Sequence, residues 1–299
     1  MAPLRRRRSK RRHEDGVSDV LAGAASAAAA EVDATLPEPV DASAAAFFDV
    51  DNTVLQGASI YYFAKGLAAR KLFTSRDLAR FAVQQVQFRI SGESLQHMAQ
   101  AQESALAFVA GHKVEDVVRL CEEIYDEMMT ERIWSGTRAL AEQHLAAGQR
   151  VWLVTATPVE LARIISTRLD FTGALGTVSE ILDGFYTGHL VGKPLHGPAK
   201  AEAIRALAER EKLDLARCSA YSDSMNDLPM LSLVGHPVAV NPDPQLRREA
   251  RQRGWEIRDY RTGRKVARIG VPVAAGVGAV GGATAAVVAL SRRSHRPAA

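Results

Sequence analysis

Cysteine is scarce in this chain: Cys121 and Cys218 are the only two among 299 residues. Two cysteines cannot supply a disulfide framework or a metal cluster, so we expect two buried thiols in a reducing compartment. The eight histidines show no HExxH motif and no paired metal-ligand spacing. The chemistry of the chain therefore has to come from other residue types.

A regular apolar pattern is missing from the first 43 residues. Positions 5–12 are nearly all basic, and Glu14, Asp15 and Asp19 interrupt the following stretch, so we expect no secretory signal peptide here. We predict a disordered basic tail over residues 1–43. Its charge allows three interpretations: a solvated segment, attraction to anionic lipid, and nucleic-acid binding, which is the least favoured.

Charged residues are also absent from Ile269 to Leu290. This segment is long enough to cross a bilayer, and Gly278 and Gly282 have the GxxxG spacing of packed membrane helices. Gly and Ala dominate it, however, so a flexible tail is the alternative to a transmembrane or membrane-lying segment. Basic residues flank both ends and leave its direction open. We expect a cytoplasmic protein that is anchored to the inner face of the cell membrane if this segment inserts.

Between the two ends, the sequence has the composition of a folded domain, with 47% hydrophobic and 24% charged residues. A short apolar strand at 44–48 is followed by a purely helical pattern over 57–133. Strand and helix then alternate, which predicts an open parallel sheet with helices on both faces and a helical insertion after the first strand. The later predicted strands are 150–155, 218–222 and 237–240, the helices are 137–147, 199–208 and 227–233, and Asp183-Gly184 indicates a hairpin.

The strand at 150–155 is followed by strong helix-start signals. Thr157 is predicted to be the N-cap, with Pro158 at the first helical position and Glu160 completing a capping box.

Polar side chains end three of the predicted strands, and the carboxyl ends of parallel strands meet in one crevice. The first group is Asp49 and Asp51, which alone could belong to a surface turn or a calcium loop. The second is Thr155, a hydroxyl that alone carries little information. The third is the acid and amide set Asp223, Asn226 and Asp227, which suits a hard cation but could also be a polar turn with a helix cap.

A lysine could complete this set by neutralising phosphate charge. Lys200 opens a predicted helix directly ahead of the last acidic group, and Lys193 is its rival. We favour Lys200 because of that position.

The order DxDxT, strand-end Thr, Lys and DxxxD over residues 44–258 resembles the haloacid dehalogenase superfamily of phosphohydrolases. The stretch YSDSMNDLPML from Tyr221 to Leu231 is especially similar to the phosphoserine-phosphatase-like branch, subfamily IB. The resemblance implies a Rossmann-like core of residues 44–56 and 134–260, with a C1-type helical cap at 57–133. It also implies a Mg²⁺-dependent phosphatase.

The resemblance further implies a role for each site residue. Asp49 would attack phosphorus and form an aspartyl-phosphate, and Asp51 would act as general acid and base. Thr155 and Lys200 would stabilise the phosphoryl charge. Mg²⁺ would be held by Asp49, the main-chain carbonyl of Asp51, and Asp223. Asn226 and Asp227 would support the metal shell or hold Lys200 in place.

One position departs from the phosphoserine phosphatases, in which a Glu nine residues after the nucleophile receives the substrate ammonium. Ala58 stands there in this sequence. We therefore predict a phosphomonoesterase for a small or lipid-linked ester, for which free phosphoserine is not the main substrate. A phosphoserine phosphatase, a phosphotransferase of the same fold and a non-catalytic regulatory protein are the alternatives, and nucleic acid is not an expected partner.

Overall fold

The computed structural model describes residues 3–32, 39–70 and 109–261, with side chains from residue 15 onward. The strands are β1 (Ala45–Phe48), β2 (Arg150–Pro158), β3 (Gly173–Thr177), β4 (Ser179–Leu182), β5 (Phe185–Leu190), β6 (Ser219–Ser222), β7 (His236–Val240) and β8 (Glu256–Arg258). Six of them form a parallel sheet in the order β3-β2-β1-β6-β7-β8. The predicted α/β fold with an open parallel sheet is confirmed.

The helices alternate with these strands along the chain. They are α1 (Pro3–Ala29), α2 (Ser59–Ala69), α3 (Val114–Met128), α4 (Ser135–Ala146), α5 (Val159–Arg168), α6 (Pro198–Glu211), α7 (Leu228–Leu231) and α8 (Pro244–Arg253). Short 3₁₀ turns at Thr130–Arg132, Leu215–Arg217 and Met225–Asp227 complete the described elements.

The central strand β1 has β2 on one side and β6 on the other, with Ala46 in register with Val151 and Ser219. Its four residues are all buried, and so are Val151 to Val154 of β2. A strand covered on both faces needs such a continuous apolar run. The register brings the carboxyl ends of β1, β2 and β6 to the same edge of the sheet.

The hairpin predicted around Asp183-Gly184 is confirmed: β4 and β5 pair antiparallel across these two residues. Asp183 has φ 50° and Gly184 has φ 81°. Two consecutive residues with positive φ are typical of a type I′ turn, whose twist matches that of the flanking strands.

The predicted helix start at Thr157 is wrong. Strand β2 continues to Pro158, and α5 begins at Val159 with Pro158 as its N-cap residue and no side-chain capping hydrogen bond. The Thr157 hydroxyl instead bonds to other side chains in the core. The hydrogen bond between the buried hydroxyl groups of Thr157 and Ser59 replaces the helix cap that the local sequence favours.

The first helix also differs from the expectation, because residues 3–29 are helical where we expected a disordered tail. Ala22, Ala27 and Ala30 are buried in the core. Gly23 lies so close to α6 that a Cβ there would come within 2.7 Å of the Ala203 amide nitrogen. Alanine and glycine give a weak apolar pattern, but they allow two helices to approach closely, and alanine has the highest intrinsic helix propensity.

Strand β3 and helix α8 were not predicted from the sequence. All five residues of β3 are buried, but its sequence Gly-Ala-Leu-Gly-Thr is too poor in large apolar residues to read as a strand. Helix α8 has clear terminal signals: Asp243 accepts hydrogen bonds from the amides of Gln245 and Leu246 at 2.7 Å, and Gly254 ends the helix with φ 70°.

Part of the predicted helical insertion is described. Helices α2 and α3 form its two ends, and residues 71–108 between them lie outside the described residues. The predicted segment Ile269 to Leu290 also lies outside them. Within the ranges that the structure does describe, no helix has the length and apolar character needed to cross a membrane.

Candidate active site

The carboxyl end of β1 carries Asp49, whose residue surface is 6% exposed. Its amide donates to the Tyr221 carbonyl at 2.9 Å, so the loops after β1 and β6 start side by side. One carboxylate oxygen, Oδ2, accepts a hydrogen bond from the Thr53 hydroxyl at 2.9 Å. Asn52, with φ 59°, turns the chain between these residues, and its carbonyl accepts a bond from the Asn241 side chain. The nucleophile candidate is therefore held in a fixed orientation.

Lys200 joins the first and last acidic groups. Its Nζ lies 2.6 Å from Asp49 Oδ1 and 2.8 Å from Asp227 Oδ2, and its side chain is 4% exposed. The Ser222 hydroxyl donates to the same Asp227 oxygen at 2.7 Å. Lys193, the rival candidate, pairs instead with Asp19 of α1 at 2.7 Å and is one-third exposed. The geometry thus places Lys200 in the acidic cluster.

The loop after β6 presents the other acidic group. The Ser224 hydroxyl accepts a bond from the Asn226 amide at 3.2 Å and caps the 3₁₀ turn Met225–Asp227. Asp243 braces this loop: its Oδ2 accepts from the Met225 amide at 2.8 Å, and its own amide donates to the Asp223 carbonyl at 2.7 Å. Because these bonds fix the main chain, Asp223 and Asp227 project from a rigid turn.

The second motif brings two hydroxyl groups to the site rather than one. Thr155 and Thr157 are both buried, and the Thr155 hydroxyl donates to Thr157 Oγ1 at 3.1 Å. Thr157 in turn contacts the Ser59 hydroxyl at 2.6 Å, and Ser59 donates to Asp51 Oδ1 at 2.6 Å. Sequence reasoning missed Thr157 and Ser59. The only sequence signal for Ser59 is its position beside Ala58, at the start of the helical insertion.

Three carboxyl groups of the cluster, those of Asp49, Asp51 and Asp223, resist ionisation. Burial raises the pKa of Asp49 to about 7, with Lys200 opposing the shift and the charges of Asp227 and Asp51 adding to it. Burial also raises the pKa of Asp223 well above its ordinary range, helped by the charges of Asp49, Asp227 and Asp51. Burial raises the pKa of Asp51, and the hydrogen bonds from Ser59 oppose this shift. The charges of neighbouring carboxylates therefore add to the effect of burial on the pKa values of Asp49, Asp51 and Asp223.

For Lys200, in contrast, the neighbouring charges have a larger effect on the pKa than burial has. Burial alone would lower the pKa of its ammonium group, but the charges of Asp227 and Asp49 outweigh burial, so the pKa is raised. Lys200 is therefore charged at neutral pH. If all four carboxyl groups of the cluster are ionised, the single ammonium group of Lys200 does not neutralise them, and the cluster has a net negative charge. The four groups are those of Asp49, Asp51, Asp223 and Asp227.

This excess of negative charge fits a divalent cation with oxygen ligands. Asp49, Asp223 and the Asp51 carbonyl are hard oxygen donors of the kind that Mg²⁺ prefers. Among residues 3–32, 39–70 and 109–261 no three His, Cys, Asp or Glu side chains form a ready metal cluster. The expected ligand set does not require one, because it has two carboxylates and one main-chain carbonyl.

Several known proteins are similar to this chain. A family model described as haloacid dehalogenase-like hydrolase matches residues 46–232. A Mycobacterium tuberculosis protein named phosphoserine phosphatase is 58% identical over 259 residues, which is 86% of this chain and 83% of that protein. A Neisseria meningitidis histidinol-phosphatase is 30% identical over 72% of this chain and 98% of its own length.

The solved structures include a Bordetella pertussis protein of unknown function. It is 29% identical to this chain with a TM-score of 0.64, over 72% of this chain and 98% of that one.

Proposed function

Because this chain belongs to the haloacid dehalogenase-like hydrolase family and is a phosphatase, we propose that it hydrolyses a phosphomonoester through an aspartyl-phosphate on Asp49 with the help of Mg²⁺. The observation that carries the proposal is the Lys200 ammonium group, 2.6 Å from Asp49 and 2.8 Å from Asp227. It joins residues from three separate parts of the sequence in one buried cluster. The test is turnover of 4-nitrophenyl phosphate with Mg²⁺ by the wild type and by Asp49→Asn.

The reaction needs two displacements at phosphorus. In the first, a carboxylate oxygen of Asp49 bonds to phosphorus, the bond to the ester oxygen breaks, and Asp51 gives its proton to that leaving oxygen. In the second, Asp51 takes a proton from water as the water oxygen attacks phosphorus. This step releases inorganic phosphate and restores the Asp49 carboxylate. The raised pKa of Asp51 suits a group that must first hold a proton and then accept one.

Three groups would stabilise the phosphoryl oxygens. Lys200 supplies a charged ammonium group fixed beside the nucleophile. The Thr155 hydroxyl lies at the end of β2, next to β1, and can turn to donate to phosphate. Bound Mg²⁺ would offset the repulsion between the carboxylate nucleophile and the phosphate dianion. Asp227 keeps Lys200 in position through its 2.8 Å contact.

The inserted segment 57–133 is proposed to be a helical cap over this site. Its first helix, α2, begins at Ser59, and both the amide and the hydroxyl of Ser59 donate to Asp51. Helix α2 packs on α3, which in turn packs on α5 of the core. Side chains of such a cap would select the substrate, because they cover the leaving group rather than the phosphate.

The substrate is proposed to be a small phosphate ester other than free phosphoserine. Phosphoserine is a natural candidate because of the name of the Mycobacterium tuberculosis relative. Ala58 is the N-cap residue of α2, where the family's phosphoserine enzymes carry a carboxylate. An ammonium group brought there would be desolvated without a partner, which costs binding free energy.

Restoring a carboxylate at this position tests the substrate proposal. We expect Ala58→Glu to raise kcat/KM for phosphoserine by about ten-fold, since a paired ammonium gains roughly 1–2 kcal/mol over an unpaired one. The Ala58→Gln variant is the matched control, because it adds the same bulk without the charge. Steady-state assays on phosphoserine, histidinol phosphate and glycerol phosphate measure the effect. Wild-type turnover that is highest on phosphoserine by far would contradict the proposal.

Membrane association is a separate proposal, carried by the sequence of the two chain ends. Helix α1 includes the basic positions 5–12, and farther along it Val17, Val20 and Leu21 are at least half exposed. Basic and apolar groups on one helix favour an anionic lipid surface, and a lipid-linked ester would then be within reach. Deletion of residues 264–299 removes the uncharged segment Ile269 to Leu290 but leaves α1 in place, so we expect it to lower the membrane-bound fraction of the protein. An unchanged, fully soluble distribution of both forms would refute the anchor.

A further inference from the structure

A continuous series of buried hydroxyl groups connects Thr155 of β2 to Asp51. The Thr155 hydroxyl donates to Thr157 Oγ1 at 3.1 Å, and Thr157 and Ser59 are joined at 2.6 Å. Ser59 then donates to Asp51 Oδ1 at 2.6 Å through its hydroxyl and at 2.8 Å through its amide. All three hydroxyl residues are less than 5% exposed. This series of hydroxyl groups thus lies in the protein interior, where hydrogen bonds keep their geometry.

Counting the available protons shows which hydroxyl group donates and which accepts in each of these hydrogen bonds. Each hydroxyl has one proton to give. Ser59 gives its proton to Asp51, so it has to accept one from Thr157. Thr157 therefore accepts from Thr155, which agrees with the observed geometry. Every link points toward the carboxyl group, and both bonds from Ser59 end on the same oxygen, Oδ1.

We propose that Ser59 and Thr157 are positioning residues that hold Asp51 Oδ1 and so present its other oxygen, Oδ2, to the leaving group. This inference rests on the proposed function, in which Asp51 donates the proton that the ester oxygen takes up. Thr157 acts through Ser59, and Ser59 acts through Asp51. Because Ser59 is the first residue of α2, the same contact ties the acid to the beginning of the inserted segment.

A purely structural role predicts a different result. Buried hydroxyl groups at a helix start need partners, and losing one lowers stability whatever the reaction. Such a loss would lower turnover of all esters by the same factor. A misplaced acid, in contrast, matters most when the leaving oxygen is strongly basic, because that oxygen needs its proton most. The dependence on the leaving group therefore separates the two roles.

The experiment compares kcat/KM for phenyl phosphate and 4-nitrophenyl phosphate with Mg²⁺. These esters have nearly the same shape, but phenolate is the more basic leaving group. We expect Ser59→Ala and Thr157→Val to lower phenyl phosphate turnover at least about ten-fold more than 4-nitrophenyl phosphate turnover, within the range that general acids contribute. Thr157→Ser keeps the hydroxyl and is expected to keep the wild-type ratio.

Thr172→Val is the matched control for a lost buried hydroxyl. Thr172 Oγ1 accepts a bond from the Val151 amide at 2.9 Å, at the opposite edge of the sheet from the site. It should lower the unfolding midpoint without changing the ratio of the two esters. In an Asp51→Asn background, Ser59→Ala should also leave the ratio unchanged, because the group it positions is gone.

An equal loss on both esters in Ser59→Ala and Thr157→Val, or a further change of the ratio in the Asp51→Asn background, would overturn the positioning role. The proposed function would survive that result if wild-type turnover still depended on Asp49. The proposed function would be contradicted, independently of the positioning role, if Asp49→Asn hydrolysed both esters at the wild-type rate. The two failures are therefore distinguishable in one set of assays.

Discussion

Asp49→Asn is expected to lower kcat for 4-nitrophenyl phosphate by roughly 10⁴-fold or more, because an amide cannot form the acyl-phosphate bond. The substitution is nearly isosteric, and the carboxylate it replaces lies 2.6 Å from Lys200 in a buried cluster. The protein should still fold, since burial among other carboxyl groups opposes ionisation of Asp49. Stopped assays of phosphate release with Mg²⁺ measure the loss.

Asp183→Asn is the control for this variant. Asp183 lies exposed at the tip of the hairpin with φ 50°, a conformation that asparagine tolerates, so its substitution should change neither turnover nor the unfolding midpoint. Similar loss of activity in both variants would point to a general defect rather than to the nucleophile. Full activity in Asp49→Asn would contradict the proposed chemistry outright.

Lys200→Met should produce the second large effect. Removing this ammonium group takes away the fixed positive charge beside the phosphoryl site, and we expect kcat to fall by about 10²–10³-fold, as for the loss of one strong transition-state donor. It also leaves Asp49 and Asp227 buried without their cationic partner. Breaking a buried pair in this way typically costs about 3–5 kcal/mol of stability.

The stability loss should depend on pH in a defined direction. Lys200 lowers the pKa of Asp49, so its removal raises that pKa further above the ordinary value of 3.8. A carboxyl group whose pKa is raised by folding contributes stability at low pH and loses it as pH rises through the folded pKa. Denaturation of metal-free protein should therefore show a larger difference between Lys200→Met and wild type at pH 8 than at pH 5.

Lys193→Met is the matched control for Lys200→Met. Lys193 pairs with Asp19 at 2.7 Å but is one-third exposed, so its pair contributes about 1 kcal/mol or less. The control should keep full activity and show little pH dependence of stability. A loss of activity in Lys193→Met that matched the loss in Lys200→Met would mean that the assignment of the two lysines is wrong.

The sequence predicted the central sheet and its acidic cluster because their signals are local. Apolar strands ending in polar groups lead to one sheet edge whenever the strands are parallel. This reasoning predicted that Asp49, Lys200 and Asp227 lie together, and Lys200 contacts both carboxylates. It worked because the covered strands need continuous apolar runs, which are easy to recognise.

The features that the sequence did not predict depend on partners far along the chain. Helix α1 packs through alanine and glycine, whose weak apolar pattern resembles that of a disordered tail. Thr157 has the local sequence of a helix cap, but its hydroxyl partner is Ser59, 98 positions earlier. A hydrogen bond over that separation leaves no periodic trace in one sequence, so Ser59 and Thr157 became visible only in three dimensions.

Trapping the intermediate tests the central claim most directly. Enzyme mixed with substrate and Mg²⁺, then quenched and treated with borohydride, should convert a phosphorylated aspartate to homoserine, which mass spectrometry of the digested protein can locate. We expect homoserine at position 49 in the wild type and at no position in Asp49→Asn. Reduction at a different carboxylate, or steady turnover with no trapped residue at any quench time, would contradict attack by Asp49 on phosphorus.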